Sequence, residues 1–187
     1  MLNNLAGIFN DGVIAPLTSY ESIQTVTVGA GGQSSASFTV IPATYKHLQV
    51  RAFMQNNRGT FGTSTYLLRI NSDSGSNYYN HVLAGSGSTA SASAYSDTAV
   101  NPNDASGTGV SGVFGVSVID ILDYTNTNKN TTVRMLNGVD VNGSGGFVSL
   151  NSALWNNTAA ITTLTITPAH GTLWNQYSSF ALYGIKG

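Results

Sequence analysis

From Glu21 onward the apolar residues of this chain fall on alternate positions, the two-residue period of a strand with one face against a core. Residues 23–28 and 35–40 read as two strands around the Gly29-Ala-Gly-Gly32 connection, and Pro42 breaks the pattern. Over His47–Gln55, Leu48, Val50, Ala52 and Met54 share one face, while Gln49, Arg51, Phe53 and Gln55 share the other. Residues 65–71 and 78–84 read as a further pair joined by a polar turn. The stretch 113–122 is the most apolar and is expected to be central. Its apolar phase shifts from Phe114, Val116 and Val118 to Ile119 and Ile121, which predicts a bulge or burial on both faces. Residues 132–139, 146–154, 161–167 and 179–185 complete about ten predicted strands, and no helical period survives over ten residues after Thr18. Short strands separated by Gly/Asn turns predict an all-β fold, a jelly-roll-like two-sheet β-sandwich of eight to ten strands.

Two stretches stand outside this pattern. Residues 1–19 carry Leu2, Leu5, Ile8, Phe9, Val13, Ile14 and Leu17 among Asn, Gly and Pro. Leu2, Leu5 and Phe9 have near-helical spacing, but Gly7, Gly12 and Pro16 limit any helix to a turn or two. This segment reads either as packed on its own domain or as an arm that docks on a neighbouring subunit. The second stretch, at about 85–112, is rich in Ser, Ala, Gly and Thr and reads as a long surface loop with a short edge strand near Ala94-Tyr95. The predicted organisation is an arm over 1–19 and a single domain over 20–187.

Composition narrows the chemistry. Charged residues make up 8% of the chain, against about 25% in ordinary soluble domains. Ser, Thr, Asn and Gly together supply roughly two-fifths of the residues and hydrate the surface in place of charge. With no Cys, disulfides, zinc–thiolate sites and thiol catalysis are excluded. A net charge of −1 with dispersed basic residues gives no footprint for nucleic acid or an acidic membrane. No apolar run approaches the ~18 residues of a membrane span. The first residues lack the basic region of a signal peptide, so export by that route is not expected.

Few residues are left as candidates for a site. His47, His81 and His170 are dispersed and sit in no catalytic or metal-ligand motif. Asn71-x-Asp73-x-Gly75-x-Asn77 faintly resembles a calcium loop, but it has one carboxylate and no closing Glu, so a hairpin turn held by side-chain bonds explains it better. Asp120 and Asp123, three apart in extended chain, point to opposite faces and suit turn capping rather than acid–base work. A polysaccharide-cleaving enzyme would need two carboxylates about 5–10 Å apart, which the pattern does not supply. No catalytic residue, metal ligand or cofactor is therefore predicted. Trp174-Asn175-Gln176-Tyr177 is the stretch most like a sugar platform, with Trp174 and Tyr177 as its stacking candidates; core or subunit-interface packing competes for the same rings.

The blocks Ile41–Arg51, Asn71–Tyr78, Val118–Tyr124 with Asn126–Lys129, and Ser178–Gly187 resemble a group of virion proteins of tailed bacteriophages, common among phages of aquatic bacteria. The similarity runs from about Tyr20 to the end. It implies a structural, non-enzymatic role on the phage particle surface, either as a capsid decoration (cement) protein or as a tail-fibre or head-fibre module binding host-surface glycans. Fibres usually carry repeats or heptads, and none occurs here, so decoration is the favoured expectation. The implied partners are the major capsid protein or another virion protein and further copies of the chain, a trimer being favoured. Leu2, Leu5, Ile8 and Phe9 are the expected docking contacts.

Overall fold

The computed structural model describes residues 19–59, 63–102, 106–107, 111–141 and 145–187. Strands β1 (Tyr20–Thr27), β2 (Ala36–Phe38), β3 (His47–Met54), β4 (Thr63–Ser64), β5 (Tyr66–Ile70) and β6 (Tyr78–Gly85) are followed by β7 (Ala90–Asp97), β8 (Ser106–Gly107) and β9 (Gly115–Ile121). The chain closes with β10 (Thr131–Asp140), β11 (Gly146–Trp155), β12 (Leu164–Pro168) and β13 (Ser179–Ile185). Eight of them form one antiparallel sheet in the order β1-β13-β3-β9-β10-β11-β6-β7. A smaller sheet, β2-β12-β5, lies against it, and β4 pairs with β8. The fold is all-β and sandwich-like, with no helix among the described residues.

Alternation decides which side chains enter the core. Along β10, Val133 and Met135 turn inward while Thr132, Arg134 and Leu136 turn outward. Leu48, Val50, Ile119, Ile121, Phe180 and Leu182 do the same from β3, β9 and β13. They meet Phe38, Leu68, Ile70, Leu164 and Ile166 from the small sheet, all fully buried. Gly184 lies inward on β13, where an added Cβ would stand 2.3 Å from the Tyr45 ring; only glycine lets that ring lie on the sheet. The inner face also holds a polar knot. Tyr66 and Ser117 donate to Asn137 Oδ1 at 3.1 and 2.6 Å, and Asn137 Nδ2 donates to Ser149 Oγ and Asn151 Oδ1. Burial pushes the Tyr66 phenol's pKa upward, so it stays a donor.

Two expectations change here. The predicted bulge in the central strand is absent: β9 pairs without a break from Gly115 to Ile121 on β3 and from Val116 to Ile121 on β10. Ser117, Ile119 and Ile121 face the core, whereas Val116 and Val118 face away from it. The strand is thus apolar on both faces but buried on one. Within 85–112, the edge strand expected near Ala94-Tyr95 is the full eight residues of β7, paired with β6 from Tyr78↔Asp97 to Gly85↔Ala90. After it Val100 exchanges both backbone bonds with Leu68, at 2.9 and 3.0 Å, and is buried.

Candidate functional site

The outer face of the eight-stranded sheet is where the sandwich departs from an ordinary one. Strand register aligns Val118, Leu136, Leu150, Leu83 and Ala92 in one continuous row across β9, β10, β11, β6 and β7. The four larger side chains of that row are 37–58% exposed. A neighbouring row places Phe53, Val116, Gly138, Val148, Gly85 and Ala90 side by side. At about 4.8 Å per strand, the first row is roughly 19 Å long. Between Leu83, Leu150 and Arg134 the face sinks into a depression of about 260 Å3.

A polar margin runs along this apolar band. Gln49, Asp120, Arg134, Ser152 and His81 form the next row in register. Gln49 Nε2 donates to Asp120 Oδ1 at 2.8 Å, and Arg51 Nε donates to Gln49 Oε1 at 2.8 Å. Arg134 approaches Asp120 Oδ2 at 3.6 Å. Arg51, which ends the apolar row beyond Val118, holds its guanidinium over the rings of Tyr183 and Tyr20 at 5.2 and 5.7 Å. An apolar centre with a polar rim is the anatomy of a protein–protein contact surface. Scattered exposed hydrophobics are normal, and the largest contiguous apolar patch on a monomer is often functional.

The residues singled out in the sequence are spread through the fold. On β3, His47 accepts the Asp123 amide at Nδ1, 2.9 Å away. His81 is outward on β6, four strand spacings from β3, or roughly 19 Å. His170 is exposed in the turn after β12. Asp120 and Asp123 do not converge, since Asp120 belongs to the outer margin and Asp123 to a left-handed turn with φ 49°. There Lys129 and Lys46, the latter at 2.9 Å, hydrogen-bond the Asp123 carboxylate and draw its pKa down to about 2. Asp73 accepts Trp155 Nε1 at 2.8 Å, Asn77 Nδ2 at 2.9 Å and the Gly75 amide at 2.9 Å. Those donors lower its pKa and occupy the oxygens a cation would need, so the segment is a hydrogen-bonded turn. Among the described residues, no group of three or more His, Asp or Glu gathers as metal ligands.

The sugar-platform candidates separate. Trp174 is a core residue: it is fully buried against Phe180, ring centroids 5.3 Å apart, and its Nε1 donates to Ile166 O at 3.1 Å. The backbone bridges from Trp174 to Gln33 and Asn56 pull it inward, so it cannot present a stacking face. Tyr177, three residues on, is 70% exposed. Leu2, Leu5, Ile8 and Phe9 lie outside the described residues. Sequence reasoning did not single out the outer apolar face, although Leu83, Leu136 and Leu150 stand out of phase with the core pattern of their own strands.

Fold and surface together define an antiparallel β-sandwich with a broad, partly apolar outer sheet face. Comparison with known proteins brings no match, whether to a family model, a curated protein or a solved structure.

Proposed function

We propose that this chain is a non-enzymatic structural protein of a bacteriophage particle, a capsid decoration protein that attaches to virion subunits and to copies of itself. The observation that carries the reading is the in-register apolar row Val118–Leu136–Leu150–Leu83 on the open face of the large sheet. The two apolar rows cover roughly 20 × 14 Å, on the order of 300 Å2. Standard interfaces bury about 800 Å2 per partner. The rows would therefore form the centre of a larger contact, with the Gln49–Asp120–Arg134 margin as its rim. Attachment of several copies multiplies a modest single contact. The phage assignment itself rests on the sequence blocks quoted above, and the apolar segment 1–18 supplies a second contact in this reading.

Particle purification tests it. The full-length chain should co-purify with virions and appear as density on the outside of the shell by electron microscopy. A chain lacking residues 1–18 should be incorporated poorly. Purified particles without the chain would overturn the assignment, and undiminished incorporation of the shortened chain would remove the arm from it.

A further inference from the structure

A cleft of about 510 Å3 opens at one end of the sandwich, between the Gly29–Gly32 turn, the end of β3 and the turn Asn175–Ser178. Tyr177 forms one rim with its backbone at φ 74°. That left-handed conformation crowds Cβ against the carbonyl and is an outlier for a bulky residue. The surroundings impose it. The Tyr177 amide donates to Val28 O at 3.0 Å, and the Ser178 amide donates to Asn175 O at 3.1 Å. Ser178 Oγ accepts the Gln55 amide at 3.0 Å. Yet the fold gains little from the ring that this strain positions, because most of the ring projects into solvent. Strain that holds an aromatic ring at the rim of a cleft points to a role in that cleft.

The remaining lining says what could bind. Among the described residues, no ionisable side chain other than the Tyr177 phenol lines the cleft, and none there supplies a counter-charge for a phosphate, carboxylate or sulfate. Gln55 Nε2 donates to Val113 O at 2.8 Å, and Asn175 Nδ2 donates to Gln55 Oε1 at 3.0 Å, so both amides are held in fixed orientation. Among the described residues nothing bonds to Asn175 Oδ1 or to the Gln176 side chain. Gly31 and Gly112, with φ of 94° and 76°, have no described residue within 4 Å of where a Cβ would stand. A proline-rich peptide would want parallel aromatic ridges. Phe114, which also lines the cleft, is instead stacked on Phe53, centroids 4.6 Å apart and rings 10° from parallel, so among the described lining residues Tyr177 presents the exposed ring.

We propose that this cleft binds a neutral oligosaccharide, with the Tyr177 ring stacked on the apolar face of one sugar and the Asn175 and Gln176 amides bonding its hydroxyls. The cleft adjoins the apolar sheet face, since its lining residue Phe114 stacks on Phe53 of the outer row, but the proposal does not depend on the particle-attachment reading. The test uses the full chain on an array of neutral, sialylated and sulfated glycans and of proline-rich peptides, followed by titration calorimetry with the strongest neutral glycan. Neutral glycans should be retained selectively. Tyr177→Gly should weaken binding by at least about tenfold and Tyr177→Phe by less than about threefold, while the thermal midpoint of Tyr177→Gly does not fall, since glycine accepts this backbone. No neutral glycan above background, retention of acidic glycans or peptides instead, or unchanged affinity in Tyr177→Gly would each overturn the proposal.

Discussion

Replacing Leu136 and Leu150 by threonine separates a surface built for contact from one that serves only the fold. The two residues face each other across β10 and β11 and are 56% and 51% exposed. Complete burial of a leucine side chain is worth about 1.5–3 kcal/mol. With half of each side chain already covered, docking can still gain about 0.75–1.5 kcal/mol per residue. The pair should therefore weaken attachment by about 1.5–3 kcal/mol, roughly 10- to 150-fold. Threonine is a good strand residue, so the isolated fold should lose no more than about 1 kcal/mol per site. A core change such as Leu68→Ala should cost about 2–5 kcal/mol instead. Sedimentation and competitive incorporation into particles measure the loss of attachment; urea unfolding of the isolated chain measures the cost to the fold. Unchanged association and incorporation, or unfolding costs on the scale of a core leucine, would refute the argument.

Two further outcomes follow from local features. Because the folded pKa of Asp123 is depressed to about 2 from an ordinary 3.8, its stabilising contribution is present above the ordinary value and lost as pH falls through the folded one. Asp123→Asn should thus be less stable than the parent chain at pH 6, with the gap closing toward pH 2; a pH-independent gap in thermal midpoint would contradict the lysine pairing. Val40 is 87% exposed with φ 55°, an unfavourable backbone for a β-branched residue. Val40→Asn should therefore raise stability by about 0.5–1 kcal/mol, and a lowered melting temperature would show that the side chain has a role its exposure hides.

Much of the sandwich was legible because strands announce themselves by period. The predicted segment His47–Gln55 becomes β3 with the expected inward set Leu48, Val50, Ala52 and Met54. Residues 113–122 were harder. Their two apolar phases suggested a bulge, because periodicity assumes that an apolar residue is a buried one. Val116 and Val118 break that assumption, and the same pattern in Leu83, Leu136 and Leu150 carries the whole outer surface. Register supplies what periodicity cannot: residues 83, 118, 136 and 150 become neighbours only through three strand pairings, one of which brings Leu83 of β6 beside Leu150 of β11. Trp174 and Tyr177 show the same limit. Both rings look alike in sequence, and only the bridges to Gln33 and Asn56 turn one into the core while a left-handed turn throws the other out.

The apolar row has a thermodynamic consequence for whatever it holds. A contact centred on Val118, Leu136, Leu150 and Leu83 has no ion pairs at its heart to be screened, so its strength barely changes between dilute and saline surroundings. It responds to temperature instead, since burial of such surface lowers the heat capacity and the attraction fades on cooling. A particle dressed through this face would tolerate swings in salinity and loosen its coat in the cold.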